Sequence, residues 1–234
     1  KCKESGFEFV GPDPKVIEVM GDKIKAKELI ESLGIPTVPG YSGKIESQNK
    51  IENIVEKIEY PVLVKASAGG GGRGMRVVNK RYELWDSIIS AQNEAKVAFG
   101  NDEVFIEKYL KKPRHIEIQV FGDGKGKVVH MYSRDCSLQR KYQKIIEEAP
   151  AENLNREKLS DIQNICVAAC SELKYKGAGT LEFLYEDNEF YFIEMNTRIQ
   201  VEHTVTEMIT GVDLVQAQLL LALEDKFDLD QEKL

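Results

Sequence analysis

The sequence predicts an α+β fold with a mostly antiparallel sheet. Three observations carry this: successive strand-like runs over 104–133, a second strand pair at 180–196, and amphipathic helical segments before, between and after them. Residues 14–20 and 22–33 read as helices, with Gly34 as a left-handed stop, and 35–39 as extended chain. Ser47 is placed to cap a helix that reaches Ile58; residues 60–65 read as a strand entering a glycine run and 75–78 as the strand leaving it. A helix follows over 81–99, its apolar stripe including Leu84, Ile88 and Ala95. Strands over 104–110, 116–121 and 128–133 come next, with Gly122-Asp123-Gly124 as a turn signal. A helix over 156–173, a hairpin of 180–185 with 190–196, and a helix near 213–223 complete the chain. The segment 37–109 reads as a lid inserted into a main body.

A chain of 234 residues is long enough for one large domain or two small ones. Its 42% apolar and 30% charged residues are ordinary for a soluble globular protein. No apolar run approaches the roughly 20 residues that cross a bilayer, so no membrane association is expected. There is no basic-then-apolar signal segment at Lys1. Cys2 and Cys136 are far apart, and Cys166 and Cys170 lie one helical turn apart as small buried hydrophobes, which together fit a reducing cytoplasm. The net charge of −7 disfavours general nucleic-acid binding, and leaves the basic stretch 134–144 to be explained separately.

The run Lys65-Ala66-Ser67-Ala68-Gly69-Gly70-Gly71-Gly72-Arg73-Gly74-Met75 formally satisfies a dinucleotide-binding fingerprint. That fingerprint requires a helix directly after it, whereas here a strand follows. A Walker loop would end in Gly-Lys-Ser/Thr, which is missing; a kinase loop would precede its strand lysine, and Lys65 comes first. What remains is a hairpin of backbone N–H groups that folds over phosphates with Lys65 beside it, or else a plain exposed hairpin.

The strands 180–185 and 190–195 flank Glu186-Asp187-Asn188-Glu189. A hairpin symmetric about Asn188 sets Glu182 opposite Glu194, with Cβ atoms roughly 5 Å apart. Like charges so placed destabilise a sheet unless a cation neutralises them, and a hard divalent ion bound by one or two carboxylates does so. Solvated surface acids are the alternative, but Phe183, Phe192, Ile193 and Met195 mark a buried sheet. If the chain stays extended past Glu194, then Glu194, Asn196, Arg198, Gln200 and Glu202 share one side, opposite Ile199 and Val201. Such a wall offers metal ligands at Glu194 and Asn196, an oxyanion clamp at Arg198 and a general base at Glu202.

Six motifs now stand together: Met20-Gly21-Asp22-Lys23; the glycine run; Glu107-Lys108-Tyr109-Leu110; Arg114-His115-Ile116-Glu117; Arg134-Asp135-Cys136-Ser137-Leu138-Gln139-Arg140; and Gln143-Lys144-Ile145-Ile146-Glu147-Glu148-Ala149-Pro150. With Glu194-Met195-Asn196-Thr197-Arg198-Ile199-Gln200-Val201-Glu202-His203, the chain resembles, over essentially its whole length, the ATP-grasp domain of biotin carboxylases, the component shared by acetyl-CoA, propionyl-CoA and pyruvate carboxylases. The resemblance implies an ATP-grasp domain over 21–234, with 1–20 as the tail of an upstream α/β domain. It implies that Lys23 and Lys65 contact ATP phosphates under Gly71 and Gly72, and that Glu107, Lys108, Tyr109, Leu110 and His115, with Gln139 and Leu184, hold the nucleotide. Glu182, Glu194 and Asn196 would ligate Mg²⁺ or Mn²⁺. Lys144, Arg198, Gln200, Val201 and Glu202 would surround bicarbonate, whose proton Glu202 removes; the oxyanion then attacks the γ-phosphate, giving carboxyphosphate and ADP, and biotin on a carrier protein is carboxylated while Arg198 offsets negative charge. A carboxyltransferase component and an oligomeric parent enzyme are implied partners. The basic stretch 134–144 becomes an anion-site wall, and His203 receives no role.

Tyr142 stands where the family usually has histidine, and Ala68 where glycine is common. The family's upstream α/β domain and a downstream segment, carrying an arginine thought to stabilise the biotin enolate, are not in this sequence. The competing expectations are another bicarbonate-activating ligase of the carbamoyl-phosphate synthetase type, whose strand after Glu-Met-Asn differs, and a catalytically incomplete ATP-binding fragment.

Overall fold

A computed structural model describes residues 1–45, 47–66, 75–141 and 143–234, without the side chains of Lys3, Lys23, Ile24 and Phe99. The chain divides into two compact units, one of Lys1–Thr37 with Pro113–Leu234 and one of Val38–Lys112. Its elements in order are α1 (Pro14–Gly21), α2 (Lys23–Ser32), β1 (Gly40–Tyr41), α3 (Gln48–Ile58), β2 (Val62–Ala66), β3 (Arg76–Val78), α4 (Arg81–Phe99) and β4 (Val104–Lys108). Then come β5 (Arg114–Asp123), β6 (Val128–Arg140), β7 (Gln143–Glu148), α5 (Arg156–Glu172), β8 (Lys176–Glu186), β9 (Glu189–Asn196), α6 (His203–Thr210) and α7 (Leu214–Glu224). Two antiparallel sheets with flanking helices make the α+β class expected from the sequence. No single helix among the described residues is long and apolar enough to cross a membrane.

The larger unit is built on a five-stranded sheet in the order β7-β6-β5-β8-β9. Strand alternation gives it one apolar face, where Ile116, Ile118, Val120, Leu181, Phe183 and Met195 are buried in a cluster with Ile30 of α2 and Ile162, Cys166 and Ala169 of α5. The other face is divided. Phe121, Val129, Met131 and Ala178 cluster with Leu214 and Leu221 of α7, while His115, Glu117, Gln119, Thr180 and Glu182 continue the same alternation as a polar half. Local chemistry sets the helix ends: Asp13, Asn155 and Asp213 each accept a hydrogen bond from a first-turn N–H of α1, α5 and α7, at 3.0, 3.1 and 2.7 Å. Gly34, at φ 82°, stops the second helix as expected. Burial pushes the Cys170 thiol up to about 12, in keeping with a packing role.

In the smaller unit β1-β4-β2-β3 form an antiparallel sheet, with Val62 paired to Val78 and to Lys108. Val62, Val64, Val78 and Ile106 are buried against Ile51 and Val55 of α3 and Leu84 and Ile88 of α4. Helix α3 begins directly after Ser47, although that side chain makes no capping hydrogen bond. Gly71, Gly72 and Tyr142 lie outside the described residues.

β5 and β8 are longer at both ends than the sequence reading, and three further differences bear on the site. β4 ends at Lys108, so Tyr109 and Leu110 are irregular chain. β6 runs to Arg140 and pairs with β7, Leu138 opposite Ile146, so the basic stretch is a hairpin whose charges masked its strand character. The largest difference follows β9, which ends at Asn196; residues 197–202 are irregular and α6 begins at His203. The expected extended wall over 194–203 is therefore not a strand. The run Thr204-Val205-Thr206 is β-branched and reads as extended by propensity, yet burial of Thr206 in the site outweighs that local preference.

The β8–β9 register pairs Glu182 with Glu194, by a different route from simple symmetry. The turn is centred between Asp187 and Asn188, both at positive φ (52° and 65°), the two-residue geometry that matches strand twist. Near it Tyr185 pairs with Phe190 and Phe183 with Phe192; a register shift beyond Phe183 then brings Glu182 opposite Glu194.

Phe183 is fully buried, with edge-on rings of Phe190 and Phe192 each at 6.0 Å. Phe183→Ala is expected to cost about 3–5 kcal/mol, read as a lower urea midpoint at unchanged slope.

Candidate active site

Three neighbouring strands of the larger unit direct charged groups to the same polar half-face. Glu117 of β5 lies directly opposite Arg134 of β6 and Glu182 of β8. The Arg134 guanidinium is fully buried and meets Glu117 Oε2 through Nε (3.1 Å) and Nη2 (3.0 Å). Nη1 donates to Gln119 Oε1 (2.7 Å) and Thr206 Oγ1 (2.9 Å), and Nη2 to Thr180 Oγ1 (3.1 Å) and Gln200 Oε1 (3.0 Å). One side chain thus ties β5, β8, the loop after β9 and α6 together.

Lys144 of β7 enters from the sheet edge. Its Nζ contacts Glu117 Oε1, lies 3.0 Å from Glu182 Oε1 and 2.5 Å from Glu202 Oε1. His115 Nε2 is 3.2 Å from Glu117 Oε1 and 3.0 Å from Glu182 Oε2, while its Nδ1 is 3.0 Å from Gln139 Nε2. Glu182 Oε1 also accepts from Asn196 Nδ2 and Gln200 Nε2, both at 2.8 Å. Glu117, Glu182 and Glu202 are thereby matched by Lys144, Arg134 and a protonated His115, which is how buried charges persist.

Charge compensation shifts these groups against burial. Burial alone would lower the His115 pKa, but the facing carboxylates of Glu117 and Glu182, at 3.2 and 3.0 Å, outweigh it and raise the value to about 9. Burial would raise Glu117, and His115, Arg134 and Lys144 instead hold it near 2. Glu182 is lowered by His115 and Lys144, again against burial, and Lys144 is raised by Glu117 and Glu182. Burial raises the Cys136 thiol, which sits next to this cluster.

Of the residues expected from the sequence, His115, Gln139, Lys144, Glu182, Asn196, Gln200 and Glu202 come together in this network. Leu184 pairs with His115 across β5 and β8. Glu194 shares the sheet face of Glu182 and Asn196 but is exposed. Arg198 is exposed and bonds only Ile199 O (3.1 Å) among the described residues; Val201 is 89% exposed. These two, with Glu194, are not drawn into the network. In the smaller unit, Lys65 Nζ is 2.6 Å from Glu107 Oε2, Lys108 Nζ donates to Glu59 O (3.1 Å), and Tyr109 N to Pro61 O (3.0 Å). The side chain of Lys23 is outside the description.

Sequence reasoning gave no role to Glu117, Gln119, Thr180 or Thr206, and placed Arg134 only in a general anion-site wall over 134–144, although these five form the floor of the network. The signal was present in β5, where His115, Glu117 and Gln119 alternate with Ile116, Ile118 and Val120. His203 also gains a use, its Nδ1 lying 2.8 Å from Gln200 O and steadying the loop.

Residues 22–230 match the family described as carbamoyl-phosphate synthase L chain, ATP binding domain. The chain belongs to that family. Within it, the chain is 54% identical to a biotin carboxylase of Haemophilus influenzae, over 95% of this chain and 50% of that protein. It is 50% identical to the pyruvate carboxylase of Bacillus subtilis, over 95% of this chain and 19% of the relative. Among solved structures it is similar to the biotin carboxylase domain dimer of the Hydrogenobacter thermophilus 2-oxoglutarate carboxylase, in complex with MgADP, ADP and bicarbonate. That match has 48% identity and a TM-score of 0.88, and covers 100% of this chain and 52% of that one. This member of the carbamoyl-phosphate synthase L chain ATP-binding family thus has the ATP-grasp fold expected from its motifs, and spans about half the length of the biotin carboxylases it matches.

The pKa shifts set a pH window. A group raised from 6.5 to about 9, as His115 is, stabilises the fold fully below pH 6.5 and loses that contribution as pH rises through 9. Glu117, lowered from 4.5 to about 2, contributes above pH 4.5 and loses its contribution as pH falls toward 2. Urea unfolding of His115→Gln against the unsubstituted chain is therefore expected to show a stability gap at pH 6 that closes by about pH 10; a gap of the same size at both would contradict a buried imidazolium.

Proposed function

We propose that this chain is the ATP- and bicarbonate-binding part of a biotin carboxylase, which uses ATP to activate bicarbonate for transfer to biotin on a carrier protein. The observation that carries the reading is Glu182 Oε1. This carboxylate, implied as a metal ligand, accepts hydrogen bonds from Lys144 and Gln200, both implied to hold bicarbonate. The similarity to a domain whose structure contains MgADP and bicarbonate points the same way.

Glu182, Glu194 and Asn196 fit a hard cation by the chemistry of their donors, since two carboxylates and an amide share one sheet face. Glu194 has no hydrogen-bond or ion-pair partner among the described residues, and would hold Mg²⁺ or Mn²⁺ with Glu182 and Asn196. When bound with the nucleotide, such an ion screens the phosphate charge.

The chain's own residues divide the remaining work. Lys144 presents an ammonium kept protonated by three carboxylates, and Gln200 an amide whose nitrogen faces the cluster. Glu202 is the base that takes the bicarbonate proton, and the oxyanion formed attacks the γ-phosphorus as ADP leaves. Arg198, with donors free for a ligand among the described residues, offsets the charge that develops. Lys65 and Glu107, with Lys108 to Leu110, supply nucleotide contacts. A carboxyltransferase component takes the carboxyl group onward, and the chain works in the cytoplasm.

The test is ATP hydrolysis by the longer protein containing this chain, with and without bicarbonate and free biotin. Bicarbonate dependence with stimulation by biotin is expected; hydrolysis indifferent to bicarbonate would overturn the reading. Arg198→Ala in the same protein is expected to abolish turnover and leave ATP affinity nearly unchanged, and a large loss of ATP binding would contradict its assigned part.

A further inference from the structure

We infer that Arg134 is a positioning residue for bicarbonate, setting the direction of the Gln200 amide and of the Glu117 carboxylate that anchors Lys144. The inference rests on the biotin carboxylase reading and goes beyond it, since the resemblance counts Arg134 only within an anion-site wall over 134–144, and no role above makes it orient Gln200 or Lys144. Four features lead to it.

First, the guanidinium has five N–H donors and no acceptor, and here it has five hydrogen-bond acceptors around it: Glu117, Gln119, Thr180, Thr206 and Gln200. Arginine is the side chain whose planar fork serves such a set; lysine has three donors from a single point. Second, all five acceptors lie on different positions of β5, β8, the post-β9 loop and α6, so the guanidinium fixes the loop bearing Gln200 against the sheet bearing Glu117. Residues 197–202 have no strand or helix ladder, and His203 holds only the Gln200 backbone carbonyl, through Nδ1 at 2.8 Å, so the Gln200 side chain is set by Arg134 and Glu182.

Third, a group with donors alone determines which end of an amide faces it. Gln200 Oε1 must point to Arg134, at 3.0 Å, so Nε2 points the other way and donates one hydrogen to Glu182 Oε1 at 2.8 Å. Reversing the amide would set Nε2 against the guanidinium and Oε1 against a carboxylate, two repulsions in place of two hydrogen bonds. The second Nε2 hydrogen is thereby kept as a donor for an oxyanion. Fourth, Arg134 occupies Glu117 Oε2, leaving Oε1 for Lys144 and His115. Turning that carboxylate would release Lys144 from one of its three anchors. Two of the three residues assigned to bicarbonate inside the network, Gln200 and Lys144, are therefore oriented through Arg134, which touches no substrate itself; the third, Glu202, is reached through Lys144.

A purely structural buried ion pair would lower stability and leave substrate preferences alone, so the experiment reads the two Michaelis constants separately. In the longer protein, Arg134→Lys is expected to raise the KM for bicarbonate by about ten-fold or more, with the KM for ATP changed by less than about two-fold. Thr206→Val removes a single hydrogen bond to the guanidinium in a nearly isosteric change, and is expected to raise the bicarbonate KM by about three-fold with the same sparing of ATP. Because Arg134 acts through Gln200, Arg134→Lys placed on Gln200→Ala should add less than it does alone. The inference is overturned if both single variants leave the bicarbonate KM unchanged, if the two KM values move together, or if the effects of Arg134→Lys and Gln200→Ala multiply. Should Arg134→Lys fail to fold, Thr206→Val decides by the same split. An unsubstituted protein without bicarbonate dependence overturns the functional reading itself, an outcome distinct from active protein whose Arg134 and Thr206 variants bind bicarbonate normally.

Discussion

A guanidinium with no exposure to solvent, set in the middle of a β-sheet face, is the constraint around which the larger unit is arranged. A charge so placed is tolerable only with an opposite charge and a full set of hydrogen bonds, because the desolvation cost is otherwise several kcal/mol. Arg134 therefore requires Glu117 on the adjacent strand, and Glu117 in turn sits under Lys144 and His115. The remaining donors require acceptors from β8, α6 and the loop between β9 and α6. Each partner is thus committed to its position by its neighbour's need for compensation, and the network is rigid for the same reason that it is polar.

This arrangement divides the sheet face by chemistry. Where β5, β6 and β8 carry Phe121, Val129, Met131 and Ala178, helix α7 covers them with Leu214 and Leu221. Further along, Glu117 of β5 and Thr180 and Glu182 of β8 continue the alternation, while a register shift in β6 between Met131 and Arg134 brings Arg134 onto the same face; the covering layer is the loop before α6 with the first turns of that helix. An apolar half anchors the face, and a polar half of equal regularity supplies the site. The opposite face, apolar throughout from Ile116 to Phe183, bears against α2 and α5 and holds the strands in register. Precise placement of the charges depends on that register, since a slip of one residue would exchange Glu117 for Ile116.

The proposed roles separate along β8 and β9. Glu182 is shared: its Oε2 faces His115, and its Oε1 faces Lys144, Asn196 and Gln200. Glu194, on the same face and exposed, has the oxygen lone pairs that a cation needs. Arg198 and Val201 lie outside the buried network, on the irregular loop. The site therefore combines a fixed interior, where pKa values are shifted by compensation, with an exposed margin that is set to respond to ligands.

Much of this was legible in the chain alone. Alternation marked most of the strands, Gly34 marked a helix end, and Glu182 and Glu194 could be placed opposite one another by counting from the turn. The count succeeded partly by compensation, because a two-residue turn centred one half-step earlier is offset by a register shift beyond Phe183. The strand character of 134–148 was hidden because charged residues fill it, and the helix at 203–210 because its β-branched residues favour extended chain locally. Both are decided by burial against distant segments, which no local propensity contains. The sequence by itself determined which residue types are available and at what spacing: the acids of the hairpin, the lysine of β7, and the polar alternation of His115, Glu117 and Gln119. Only the tertiary structure decided that Arg134 stands at their centre, because a buried cation is placed by acceptors 15 to 72 residues away in the chain, and its meaning depends on all of them being present at once.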